Sequence, residues 1–232
     1  CIETLERSMT GWSEGDKQLA TYYIAEARAL RALYYFELVR WFGNVALVTS
    51  TSESYKPNDY FEQVPPEKVY AFIEEDLKYA ADVLPWANDD HVRSSNDFRF
   101  SKGGALGLLT KVYCTWAGYP VKDESKWAEA VKTAKIVVES GRHGLLPKFR
   151  TLWENSGASV WDPTESLVEV SFYWNSKTGS SDPVGMIGKW NGVLTSQAGN
   201  RGTCQARWRV VYPFVQKWEN ALPDDPRRTL SV

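Results

Sequence analysis

The sequence predicts a mainly α-helical protein, a stack of paired helices with an appended loop-rich region that contains short strands. Three observations carry this expectation. Segments with apolar residues spaced by threes and fours fill the chain up to about residue 140. Two helix pairs repeat each other's landmarks. Beyond residue 153 periodicity gives way to Gly, Ser and Asn, so the expected division is 1–153 for the helical repeats and 154–232 for the loop-rich region.

Residues 1–17 read as the tail of a helix and a Gly-containing turn, SMTGWSEGD. The organising helix follows, Gln18 to Gly43, with Asp16 as the expected N-cap and Gly43 as the stop. At about 100° per residue, Tyr23, Ala27, Leu30, Tyr34, Leu38 and Trp41 form one stripe and Ala25, Ala32, Phe36 and Val39 a second. Two stripes predict two neighbours. Arg28 and Arg31 lie along one seam and Glu26, Glu37 and Arg40 along the other, so both flanks can pack without burying an unpaired ion.

Residues 44–65 lack periodicity and read as an extended crossing segment. Pro65 and Pro66 open the second helix, because proline is tolerated in a first turn, and Pro85 ends it. Its expected core positions are Val69, Ile73, Leu77, Ala80 and Leu84, with Glu67, Glu74, Glu75, Lys78 and Asp82 outward. After a polar loop, 86–100, Ser101 caps a third helix with Ala105, Leu109, Val112 and Trp116 on one face. Gly103, Gly104 and Gly107 each weaken that helix by up to about 1 kcal/mol relative to Ala, which predicts a close approach by a neighbouring helix. Ser125 caps a fourth helix that ends at Gly141. Leu145, Leu146, Phe149, Leu152 and Trp153 read as a short packing segment, Ser166–Trp174 alternates as a strand, and a last helix is expected over Val211–Glu219.

WFG at Trp41–Gly43 recurs as WAG at Trp116–Gly118, and DLKYA at Asp76–Ala80 aligns with AVKTA at Ala130–Ala134. The two offsets differ by about the extra length of the first connection. Each unit is therefore helix, turn, helix, with alanines near the crossing. This resembles tetratricopeptide repeats, which bury a continuous core by stacking.

A chain of 232 residues with 43% hydrophobic and 24% charged content can bury a sizeable core. Net charge is −2 without a basic run, so no nucleic-acid partner is expected. No apolar run approaches the roughly 18 residues of a membrane span. Cys1, Cys114 and Cys204 are odd in number and widely spaced, which argues against a zinc site or a dense disulfide framework. Cys114, in a helical pattern, is expected to be buried. A first-position cysteine is also what lipidation would modify in a mature lipoprotein, the simpler reading being that it is an ordinary residue.

Four segments carry a family resemblance: AEARALRALYYFELVRWFGNVALVT (Ala25 to Thr49), EEDLKYAADVLP (Glu74 to Pro85), RFSKGGALGLLTKVYCTWAG (Arg99 to Gly118), and WAEAVKTAKIVVESG running on to ESLVEVSF (Trp127 to Phe172). DPR at Asp225, Pro226 and Arg227 adds a fifth. On these residues the chain resembles the SusD/RagB family of Bacteroidetes surface glycan-binding lipoproteins, departing at Ala46 where the family commonly has proline. The family is longer at both ends, so the resemblance implies a fragment: Cys1 would be interior, the lipid anchor would lie off this chain, and the C-terminal part would be missing. It further implies capture of oligosaccharide or polysaccharide at the outer-membrane surface and delivery to a SusC-like TonB-dependent transporter. In the family the repeat helices mainly face that transporter and ligand binds on the loop-rich side.

Sugar recognition stacks aromatic rings against apolar pyranose faces, while Asn, Asp and Arg bond the hydroxyls at the edge. The 11 Trp and 12 Tyr supply such surfaces. The ligand-binding candidates are Tyr173, Trp174, Asn175, Trp190, Asn191, Arg201, Arg207 and Trp208, in or beside the loop region. Packing against the helices is the competing role for each aromatic. No enzyme, metal or cofactor is expected. His91 and His143 lie far apart in loops and read as solvated. Glu74–Glu75, Asp89–Asp90 and Asp224–Asp225 are adjacent pairs whose carboxyls point apart, unlike a glycosidase pair facing one bond. GxSxG, Walker-type and HExxH motifs are absent. The alternative reading is a peptide-binding repeat scaffold, or a peptide-capturing member of the same family. Against a groove for a peptide carboxylate, the inward helix positions are mostly Ala, Leu and aromatic.

Overall fold

The computed structural model describes residues 2–49, 61–89, 93, 98–158, 160–170 and 211–223. The chain forms two compact units, one of Cys1–Leu146 with Val160–Glu169, the other of Pro147–Ser159 with Val170–Val232. The described elements of the first are α1 (Ile2–Ser8), α2 (Glu14–Phe42), β1 (Val45–Ala46), β2 (Gln63–Val64), α3 (Pro66–Val83), α4 (Lys102–Ala117) and α5 (Lys126–Glu139). The second contains α6 (Phe149–Gly157) and α7 (Tyr212–Ala221). The fold is mainly helical, as the sequence predicts.

Each long helix of the first unit packs on the next, α2 on α3, α3 on α4 and α4 on α5. Small residues make this close approach possible: Ala25, Ala29 and Ala32 of α2, Ala80 of α3, Ala105 of α4 and Ala130 of α5 are all buried. Larger side chains fill the space between them, including Phe36, Ile73, Leu77, Val112 and Tyr113, each fully excluded from solvent. All five core positions expected on α3 are buried, as are the four expected on α4. Tyr70 of α3 stacks on Trp116 of α4 at 5.4 Å.

The helix ends follow local chemistry. Ser13, rather than Asp16, caps α2: its Oγ accepts from the Asp16 backbone N–H at 3.2 Å, so Asp16 sits in the first turn, where its charge suits the helix dipole. Gly43 ends α2 at φ +68°, its N–H donating to the Val39 carbonyl. Ser101 Oγ caps α4 on the Gly104 N–H. Ser125 occupies the cap position of α5 without a capping bond, because its hydroxyl donates to Asp123 instead. Among the described residues of the crossing segment expected over 44–65 is an antiparallel pair, β1–β2, with Val45 opposite Val64.

Several expectations fail for identifiable reasons. Only one stripe of α2 is covered. Among the described residues nothing closes over the other: Leu30, Tyr34, Leu38 and Trp41 are exposed, Trp41 by 78%. Among the described residues the glycine face of α4 meets loop residues and not a helix. A side chain at Gly103 would overlap the His143 ring, and one at Gly104 would stand 2.5 Å from the Leu167 carbonyl oxygen. The segment 160–170, read as the start of a strand at Ser166, runs across this face without a strand partner. Its remaining residues, 171–174, lie outside the described set. Cys114 is exposed rather than buried, because the inward face of α4 falls on Val112, Tyr113 and Trp116, and Leu145, Phe149 and Trp153 of the expected packing segment are exposed as well. Trp116 is buried at 6% exposure, so the repeated WFG and WAG landmarks share a backbone role and not a side-chain environment.

In the second unit, Phe149 and Trp153 meet edge to face at 6.0 Å on α6, and Phe214 and Trp218 meet at 6.2 Å on α7. Both pairs are one helical turn apart, the spacing that lets side chains touch. Pro213 lies in the first turn of α7.

Gly104→Ala gains helix propensity of about 1 kcal/mol but sets a methyl group against backbone, and a net loss of about 1–3 kcal/mol is expected. Gly15→Ala is the control. Its nearest neighbour would be Ser13 Oγ at 4.0 Å, so this variant is expected to gain up to about 1 kcal/mol, both read from urea midpoints.

Candidate functional site

All eight ligand-binding candidates, Tyr173, Trp174, Asn175, Trp190, Asn191, Arg201, Arg207 and Trp208, lie outside the described residues, as do His91, Cys1 and Cys204. The structure does describe the polar clusters that hold the helical scaffold, and the surface grooves along it.

Three carboxylates, Asp76 buried and Glu26 and Glu74 partly buried, tie the helices together. Asp76 on α3 is 1% exposed and accepts a bidentate pair from Arg31 of α2, Nε to Oδ2 and Nη2 to Oδ1, both at 2.8 Å. Arg28, one turn earlier on α2, approaches the same carboxylate at 3.8 Å and also reaches Glu6 of α1. The hydrogen bonds from Arg31 to Asp76 raise the guanidinium pKa further above its ordinary value. Glu26 of α2 is gripped by Arg99 at 2.6 Å and by the buried Arg93, which also donates to the Phe100 carbonyl. This clamp pins the loop before α4 onto α2.

Glu74, expected to face solvent, joins three helices instead. It accepts from Tyr113 of α4 at 2.8 Å, from Lys126 of α5 at 3.0 Å, and from Lys78 of its own helix. Burial alone would raise its pKa, but these donors outweigh burial and hold it below the ordinary value. Burial, followed by the Glu74 charge, pushes the Tyr113 phenol well above its usual range, so it remains a proton donor. Lys126 also lies 3.8 Å from the Trp116 ring centroid. His143 is not solvated: its ring is wedged between Gly103 and Trp86, 5.8 Å from the indole, and both ring nitrogens are shielded. These arrangements hold structure, and none presents two carboxyls to a shared cleft. Among the described residues no three His, Cys, Asp or Glu side chains converge on a cation position, and no helix is long and apolar enough to cross a membrane.

The sequence holds a signal for the Asp76 cluster: of the three acidic residues between Ile73 and Leu77, Asp76 follows Ile73 by three and Val69 by seven, the spacing of the α3 face that turns inward. Arg93 and Arg99 gave none, because they sit in a loop without periodicity. A groove of about 510 Å³ follows the open stripe of α2, lined by Ile2, Ala27, Leu30, Tyr34, Leu38 and Val48. It is almost wholly apolar, with Arg31 and Glu3 also on its lining.

A family model described as "Starch-binding associating with outer membrane" matches residues 3–114. The fold also superimposes on a SusD homologue from Bacteroides thetaiotaomicron with a TM-score of 0.89 and 59% identity, over 96% of this chain and 42% of that one. The chain belongs to the SusD/RagB family. Two further family structures align over nearly the full sequence. One is a laminarin-binding SusD-like protein, at 27% identity and TM-score 0.70, over 97% of this chain and 47% of that one. The other was solved with a xylogluco-oligosaccharide, at 26% identity and TM-score 0.64, over 95% of this chain and 41% of that one. The chain spans 32% and 41% of the length of two curated SusD-like relatives that it matches.

Asp76→Ala strands Arg31 in a partly buried position, and a loss of about 3 kcal/mol in unfolding free energy is expected. The paired change Arg31→Met with Asp76→Leu is expected to recover most of it. For Glu74 the sign follows from its lowered pKa. Its contribution is complete above the ordinary value of 4.5 and disappears as pH falls through the lower folded-state value. The stability gap between wild type and Glu74→Gln, from denaturant titrations across pH, is therefore expected to be constant near neutrality and to close in acid.

Proposed function

We propose that this chain is part of a surface glycan-binding protein that captures oligosaccharides at the outer membrane and passes them to a SusC-like TonB-dependent transporter. The observation that carries this reading is the alignment of 97% of the chain with a laminarin-binding relative, an extent that takes in the aromatic-rich segment as well as the helices. The relative solved with a xylogluco-oligosaccharide supports the same ligand class. The role is capture without turnover. Division of labour follows the two parts of the sequence, with 1–153 as rigid helical support and 154–232 as the start of the ligand-binding region.

Tyr173, Trp174, Trp190 and Trp208 are assigned as stacking platforms, with Asn175, Asn191, Arg201 and Arg207 as hydrogen-bonding partners at the sugar edge. A platform of this kind needs a scaffold that does not yield when ligand binds. The carboxylate clusters of α2, α3, α4 and α5 supply one, since each cross-links at least two structural segments through charge-assisted hydrogen bonds. Membrane attachment is assigned to a lipid anchor, as in the family, and not to a spanning helix.

Titration calorimetry with laminarin- and xyloglucan-derived oligosaccharides tests the reading. Trp174→Ala and Trp190→Ala are expected to keep wild-type helicity, and at least one to weaken glycan binding by about 1–3 kcal/mol. Binding of a peptide mixture with no response to any glycan would replace this reading with the peptide-carrying one.

A further inference from the structure

A second groove lies on the scaffold itself, at the other end of α2 from the exposed Trp41. It has a volume of about 590 Å³ and is lined by Leu5 of α1, by Trp12 and Ser13 of the connecting turn, and by Asp16, Leu19 and Tyr23 of α2. Its floor and walls differ from those of the apolar groove near Leu38. Two aromatic residues, Trp12 and Tyr23, are each 37% exposed, so each offers part of its surface to solvent. Beside them stand a hydroxyl and a carboxylate. Ser13 Oγ donates to Asp16 Oδ2 at 2.6 Å, which orients the carboxylate and leaves its other oxygen as an acceptor at the rim.

The walls are held before any ligand arrives. Gly11 adopts φ +84°, a conformation that side-chain-bearing residues rarely adopt, and a hydrogen bond from the Trp12 N–H to the Met9 carbonyl closes the turn that projects the indole. Tyr23 is braced by Arg99, whose guanidinium lies 5.3 Å from the ring centroid and is itself clamped to Glu26. Rings fixed in this way lose little conformational freedom on binding. The volume falls within the range of small-ligand sites. Partly apolar rings beside an oriented acceptor match a pyranose, whose faces are apolar and whose rim carries hydroxyl donors. Charge narrows the class. Asp16 lines the groove, and its carboxylate would repel the carboxylate of a uronate stacked beside it, whereas Glu14 in the same turn is paired with Lys17 at 2.7 Å and adds little.

We infer that the groove between α1 and α2 is a subsite for a neutral pyranose unit, with Trp12 and Tyr23 as stacking surfaces and Asp16 as a hydroxyl acceptor. The inference rests on the glycan-binding reading above and adds a contact on the helical scaffold, apart from the candidates in the loop-rich region. Titration calorimetry of the full chain with laminarin- and xyloglucan-derived oligosaccharides tests it. Trp12→Ala is expected to weaken binding about tenfold with an unchanged far-ultraviolet circular dichroism spectrum, and Trp12→Phe, which keeps a ring, to stay within about threefold of wild type. Wild-type affinity in Trp12→Ala would overturn the subsite while leaving the glycan reading in place. No glycan binding by the wild-type chain would overturn both. An oligouronate that binds as tightly as the neutral sugars, and loses as much affinity in Trp12→Ala, would overturn the neutral-sugar assignment.

Discussion

The buried carboxylate of Asp76 is the constraint on which the helical scaffold depends. Arg28 and Arg31 are one turn apart on α2, and both direct their guanidinium groups to Asp76 on α3. The aromatic residues flanking Asp76 complete the arrangement: Arg31 lies over Phe72, one turn before it, and Arg28 over Tyr79, one turn after. On the α2 side the contact surface is rich in alanine, whose small side chains alone do little to fix how far the helices are shifted along each other. Sliding here would strand a buried charge and separate two cation–π contacts at once, so the ion cluster selects one register.

From that register the remaining contacts follow in sequence. With α3 fixed against α2, Glu74 is presented on the side where α4 and α5 arrive, and its three donors join those helices to the pair already formed. Glu26, on the opposite seam of α2, takes Arg93 and Arg99 and so positions the chain entering α4. Once α4 is placed, its glycines leave a shallow strip with no side chains. The segment around Leu167 can then lie against helix backbone, and Gly144 and Leu146 fasten the neighbouring loop to Thr164 and Glu165. The path from one carboxylate to the docking of a distant loop is thus a chain of local geometric requirements.

The helices were legible in the sequence because their signals are short-range. Proline at the start of α3, glycine at the end of α2 and apolar spacing on α3 and α4 act within a turn or two, and the structure keeps them. The error at the start of α2 was a choice between two capping side chains three residues apart, Ser13 and Asp16. The failures concern partners. Spacing shows that α2 has two apolar stripes but cannot say whether anything lies over the second. A glycine face announces a close approach without naming what approaches. Residues 166–170 have the alternation of a strand, yet a strand also needs a neighbour to bond, and Leu167 and Val168 meet helix α4 instead. Of the proposed ligand contacts, the eight residues from Tyr173 to Trp208 could be chosen by side-chain chemistry alone. Trp12 and Tyr23 required knowledge of how the turn after α1 folds back.

The tripeptides that close α2 and α4 look alike in the sequence, yet Trp41 is wet and Trp116 is dry. What the two copies share is the glycine that follows, donating its N–H back to the helix it terminates. A motif recurring in this manner works as punctuation: it instructs the main chain where to reverse, and the indole acquires its meaning from whichever neighbours assemble around it. Two similar words in such a protein can therefore tolerate very different replacements, the tryptophan being constrained in one copy and comparatively free in the other.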